Sequence, residues 1–407
     1  MVALSDLFPN PTDVELALAE RFASQADAPQ RRRNFEAFAQ TGLPHRRVEA
    51  WKYSDLRNAV KSLSADADGS IPETPFAELT DAVVFKFDAD GVSLPDHLPR
   101  GMRIITQPEG LALAGAEDLP VAALSAALAT SPGLIQVELS EDQKQPIHLH
   151  FATGAGTQFS RIAFVVREGV SATVYESHVS RNGFSSNVTE YTLEPTAKLN
   201  RTVFQRASAD AVQVFTCRAM LTSGSEFTQT SLGFGGKLCR NETHVFHRGA
   251  GGNAVLNAAY LVGDGYHYDL TSNVRHSRGE CTTSQLTKGA VDDGGQSVFQ
   301  GKFYVARNAQ KTSAEMGHHA LILRDGGEVN AKPELEIYAD DVECAHGNTV
   351  GAIDMDALFY LRQRGITETE AKSMLTEAFI REALDDLPEA VGEAMIREAR
   401  IWLTQRL

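Results

Sequence analysis

The chain has 407 residues, 43% of them apolar, which is ample for a large core or for two or three structural units. Its 53 acidic side chains outnumber 38 basic ones for a net charge of −15. That balance argues against a nucleic-acid partner, because phosphate binding needs clustered Lys and Arg. The one compact run, Arg31-Arg32-Arg33, reads as a solvated helix face. Four cysteines, at 217, 239, 281 and 344, make no disulfide framework. The start "MVALSDLFPNPTDVELALAE" lacks the basic-then-apolar order of a secretory leader. No window approaches the roughly 18 unbroken apolar residues of a membrane span. The expectation is a cytoplasmic protein with no membrane segment.

Residues 1–63 read as an N-terminal helical region. "TDVELALAERFAS" carries Val14, Leu16, Leu18 and Phe22 behind a Thr12 or Asp13 cap, and "RRRNFEAFAQTG" sets Phe35 and Phe38 three apart before Gly42. Residues 64–145 are a mixed connecting region, rich in Pro, Gly and Asp, of short strands and loops.

From 146 to 350 the texture changes to short alternating runs with β-branched residues and frequent Gly. Val170, Ala172 and Val174 share a parity, as do Phe215, Cys217, Ala219 and Leu221, and then Val329, Ala331, Pro333, Leu335 and Ile337. That is the strand signature. Turn residues Gly169, Pro195, Gly224, Gly251 and Gly279 follow at spacings of 26, 29, 27 and 28. Such a period suggests stacked coils, a β-helix, with a sandwich or jelly roll as the competing arrangement.

Residues 351–407 return to helix. "DMDALFYLRQRG" runs from an Asp cap to Gly365, Thr367 and Glu370 form a capping box, and Pro388 opens a last helix. The fold class expected is mainly β with flanking helices.

Chemistry-bearing motifs are few. "GFGGK" (Gly233–Lys237) lacks the spacing and the Ser/Thr of a phosphate-binding loop, so ATP hydrolysis is not expected. Neither GxSxG nor HExxH occurs. Near Cys239, His244 and His247 have opposite strand parity and face apart, as do His318 and His319. "GYHYD" (Gly265–Asp269) reads as a solenoid turn, and Cys217 and Cys281 as buried small hydrophobes. In "DDVECAHGNTVG" (Asp340–Gly351), Cys344 and His346 lie two apart and share one side of a strand. Thiolate and imidazole are the ligands that iron and zinc prefer, yet two are too few for a closed site. Val342 has the same parity, so burial of all three is the opposing reading.

Two long segments carry a resemblance. "KPELEIYADDVECAHGNTVGAIDMDALFYLRQRGITETEAKSML" (Lys332–Leu375) and "GLPHRRVEAWKYSDL" (Gly42–Leu56) resemble the C-terminal and N-terminal signatures of the SufB/SufD family, nearer to its SufD branch. The resemblance implies a right-handed parallel β-helix core between N- and C-terminal helical regions. It also implies a non-enzymatic scaffold in iron–sulfur cluster assembly, pairing with a SufB-like paralogue or with itself and docking a SufC-like ABC ATPase. Cys344 and His346 would then hold a transient iron or iron–sulfur cluster shared with the partner, His346 the stronger of the two. The "LFYLRQRG" run would offer Leu358, Phe359, Tyr360, Arg362 and Arg364 to a partner. Departures from the family pattern are Asn348, where Ala is frequent, and His318 and His319, where Gln or Asn is usual. Participation of a flavin is undecided by these residues.

Two readings from other classes compete. One is a β-helix enzyme acting on carbohydrate through Asp340, Asp341, Asp292 and Asp293, or through a Cys344/His346 nucleophile pair. The other is a metal-free interaction protein with Cys344 and His346 buried.

Overall fold

The computed structural model describes residues 7–25, 28–63, 71–78, 81–88, 91–106, 113, 118–129 and 133–406. Near the N-terminus lie helices α1 (Asp13–Ala23), α2 (Pro29–Thr41), α3 (Leu56–Ala59) and α4 (Pro120–Leu128). Thr12 and Glu15 form a reciprocal capping box at α1, and α2 ends at Gly42 with φ 68°. Glycine tolerates that left-handed backbone without a Cβ clash. Phe22 and Phe35 stack with ring centroids 4.5 Å apart, which ties α1 to α2.

The body is a parallel β-solenoid. Strands alternate between two sheets, one of ten strands and one of nine, so each coil contributes one strand to each. Val212 pairs with Leu238, Cys239 with Tyr268 and Tyr268 with Ser297, which puts the coil length in the range that the turn residues indicate. Those turns stack in a column. Gly169, Thr196, Gly224, Gly251, Glu280 and Lys311 all have positive φ. Each donates its N–H to a carbonyl one coil on: Pro195, Ser223, Ala250, Gly279, Gln310 and Asp341. The sheets begin earlier than residue 146, with Val83–Phe87 and Leu134–Leu139; Val92–Ser93 and Met102–Thr106 add antiparallel edges.

Inward residues of both sheets form one continuous apolar core, from Val83 to Met316, closed on each coil by aliphatic and aromatic rings. Packing is close enough that a Cβ added at Gly289 would lie 2.0 Å from the Tyr260 ring. Charge inside this core is compensated. Arg201 and Glu176, both almost fully buried, pair at 2.6 Å, and Tyr191 donates its hydroxyl to the same carboxylate at 2.5 Å. Although burial pushes the Glu176 carboxyl up, Arg201 and His178 hold it well below the usual carboxylate range.

Helices cover the two outer faces, one terminal region to each. Phe35, Phe38 and Leu124 pack on Phe159, Val188 and Val214 of the nine-stranded sheet. At the other end of the chain come α5 (Met355–Gln363), α6 (Glu368–Arg381) and α7 (Glu389–Arg406). Ile380, Met395 and Trp402 of this group pack on Phe204, Leu232 and Ala259 of the ten-stranded sheet. The solenoid's last coil is left without a cover among the described residues: its strands Glu328–Ile337 and Val342–Gly351 are the free edges of the two sheets at this end. No helix among the described residues is long and apolar enough to cross a membrane.

Candidate functional site

Strand Val342–Gly351 holds the Cys-x-His pair. It pairs on one side only, with Ala314 opposite Cys344, Met316 opposite His346 and His318 opposite Asn348. Its inward parity is therefore that of the core, but no further coil covers it. Cys344 is half-buried against the inner core together with Val342, whereas His346 is exposed. Burial pushes the Cys344 thiol up, opposed by a hydrogen bond from the Ala314 backbone. The open end is apolar as well: Ile337, Tyr338 and Val350 are 39, 57 and 45% exposed, and Ala331 and Leu335 lie partly uncovered over the core. Among the described residues, no three His, Cys, Asp or Glu side chains converge as a metal cage. Cys344 and His346 can offer one sulfur and one nitrogen, two of the four protein ligands of a closed site.

The neighbouring histidines separate as strand parity predicts. His318 is buried and stacks on Phe299 with centroids 4.5 Å apart. Its Nε2 lies 2.9 Å from the Tyr260 hydroxyl and its Nδ1 2.7 Å from Asn348 Oδ1. Asn348 Oδ1 can only accept, so Nδ1 carries the proton and Nε2 accepts from Tyr260. Both nitrogens are engaged, and burial lowers the pKa to about 4. His318 thus braces the site from behind. His319 faces outward to Thr349 at 2.7 Å.

The other candidates resolve into structure. His247 is buried and His244 faces outward toward Glu242 at 3.2 Å. Cys217, Cys239 and Cys281 are free and buried. The carboxylates of the carbohydrate-enzyme reading do not converge. Asp292 is ion-paired with Arg324 at one turn edge. Asp340 and Asp341 lie at the opposite edge, where the Asp341 carbonyl accepts from Lys311.

One buried Ser–His–Asp group has no signature in the sequence, because Ser54 lies more than 200 positions from His267 and Asp269. Ser54 Oγ donates to Asp269 Oδ2 at 2.5 Å and lies 2.9 Å from His267 Nε2. In a nucleophilic triad the carboxylate orients the histidine instead. Here Arg240 holds Asp269 at 2.7 Å, and Trp51 lies over the Arg240 guanidinium at 4.2 Å. The group is a clasp that docks "WKYS" and "GYHYD" to each other.

Of the residues placed in a partner surface, Leu358 is corrected. It is 2% exposed and packs with Ile353 and Ala371. On α5 it takes the inward stripe, because Phe359 and Tyr360, 64 and 57% exposed, occupy the outer one. Arg364 lies over the Tyr360 ring at 4.6 Å, and Arg362 pairs with Glu368 at 3.3 Å.

The family model "SUF system FeS cluster assembly, SufBD core domain" matches residues 150–379. The chain is 29% identical to iron–sulfur cluster assembly protein SufD of Escherichia coli over 401 residues, covering 93% of each chain. It is 27% identical to a SufBD family protein of Synechocystis over 88% of this chain and 86% of that one. To protein ABCI7, chloroplastic, of Arabidopsis thaliana the identity is 30% over 63% of this chain and 58% of that one.

Proposed function

Because the chain belongs to the SufBD family of the SUF iron–sulfur cluster assembly system, we propose that it is a non-enzymatic scaffold subunit whose open solenoid end pairs with a SufB-like paralogue. The observation that carries this reading is the pairing of two features in one place. The terminal coil exposes free strand edges and apolar side chains, and the same strand carries Cys344 and His346 on its inward parity. An unpaired parallel edge is a template for another chain, and burial of Ile337, Tyr338 and Val350 would drive the association.

Iron or an iron–sulfur cluster is the cargo in this scheme. His346 supplies an exposed imidazole and Cys344 a thiolate once the metal displaces its proton, with the remaining ligands from the partner. A site with few protein ligands suits release of the cargo. The exposed face of α5, with Phe359, Tyr360, Arg362 and Arg364, is the proposed dock for a SufC-like ATPase, and Leu358 anchors that helix from beneath.

The test of pairing is co-expression with the SufB-like paralogue. The double variant Ile337→Lys/Val350→Lys is expected to lose co-elution while keeping its own melting temperature. Undiminished co-elution would refute the terminal coil as the interface.

A further inference from the structure

The N-terminal element Gly42–Leu56 is almost fully occupied by structural duties. Leu43 donates its N–H to the buried Glu15 at 2.7 Å, and Glu49 pairs with Lys332 at 2.6 Å. The Ala50 carbonyl accepts from Gln300, while Trp51 and Ser54 dock on Arg240, His267 and Asp269. Among the described residues, the side chains of His45, Arg46 and Arg47 make no such long-range hydrogen bond or ion pair, His45 Nδ1 accepting only the local Arg47 N–H. With Asp55, Arg57 and Lys61 they line an open cavity of about 500 Å³.

The charge of this cavity is opposite to that of the chain. Residues 45–61 hold five Lys or Arg against two Asp or Glu, a net of +3 within a protein of −15. The nearby carboxylates are committed. Glu15 binds Arg57 at 3.4 Å, and Asp55 caps the Asn58 N–H at 2.9 Å. Among the described residues Arg46, Arg47 and Lys61 have no ion-pair partner; Lys61 is steadied by Asn58 Oδ1 at 2.7 Å. The backbone beneath the arginines is fixed, since the Arg47 N–H donates to His45 Nδ1 and the Pro44 carbonyl accepts from Arg57.

We infer that this cavity binds a compact phosphate-bearing anion of the diphosphate class. Guanidinium forks match phosphate oxygens bidentately, and a concave basic site within an acidic surface concentrates small anions. Its volume lies within the range of small-molecule sites, about 300–1,000 Å³. An extended polyanion is disfavoured, because beyond the cavity it meets the remaining negative charge.

The experiment is calorimetric titration of the full chain with inorganic pyrophosphate at low salt. One equivalent is expected to bind, with affinity falling about tenfold or more in Arg46→Ala/Arg47→Ala. Both side chains are exposed, so the melting temperature without anion is expected to stay unchanged; Lys61→Ala should give an intermediate loss. Absence of pyrophosphate binding, or equal binding by the double variant, would overturn the site. Tighter binding of hexaglutamate than of pyrophosphate would also overturn it, in favour of an acidic protein partner.

Discussion

His318 and Asn348 meet across the last two strands of the ten-stranded sheet, Nδ1 to Oδ1 at 2.7 Å. They are direct register partners of the two strands. The chain of hydrogen bonds runs from exposed Asn348 through buried His318 to the Tyr260 hydroxyl. Tyr260→Phe leaves His318 Nε2 buried without a donor, at a cost of about 1–3 kcal/mol. Asn348→Ala opens Nδ1 to water and costs about 1 kcal/mol or less. Urea unfolding of the two variants checks this order, and an Asn348→Ala loss equal to or above that of Tyr260→Phe would contradict it.

The interior histidines make the fold sensitive to acid. His247 and His276 stack 4.6 Å apart, and their Nε2 atoms share the Thr283 hydroxyl at 3.2 and 2.9 Å. Burial pushes His247 down to about 3 and His276 to about 4, from an ordinary value of 6.5. The unfolded chain therefore takes up these protons first. Stability is fully present above about pH 6.5 and falls as pH drops toward 4, by roughly 1.4 kcal/mol per pH unit for each histidine. Unfolding free energies at pH 7.5, 6 and 5 should decline in that order, less steeply in His276→Gln.

The Trp51 clasp joins the N-terminal helices to the solenoid, so Trp51→Ala is expected to cost about 3–5 kcal/mol. The loss should be local. Limited proteolysis is expected to cut within residues 1–63 while the solenoid persists. A variant as protease-resistant as the wild type would show that the helices are held by other contacts alone.

Much of this architecture is legible in the sequence because it rests on period and parity. Strict alternation at Glu328–Ile337 and the stepped turn residues register directly as strands and coils. The stack's first coil is not legible as a coil, since Val83–Phe87 and Leu134–Leu139 are five and six residues in a region rich in Pro and Gly. Pro333 carries information that alternation hides: a proline cannot donate to a ladder, and it lies on an edge strand. At the site, parity places Cys344 and His346 on one side correctly. Their unequal exposure depends on which coil is last, and no local pattern encodes that. Leu358 is a case of the same kind, since it is buried among Ile353 and Ala371 with Leu321 and Leu323 packed alongside, residues that no local pattern of its own helix reveals.

Iron and sulfide content of the anaerobically reconstituted complex with a SufB-like partner tests most directly the proposal that Cys344 and His346 hold iron at the solenoid's open end. His346→Ala is expected to lose most of the bound iron, and Cys344→Ala a smaller but clear fraction, with co-elution of the subunits intact. Full iron and sulfide content in both variants would contradict the account.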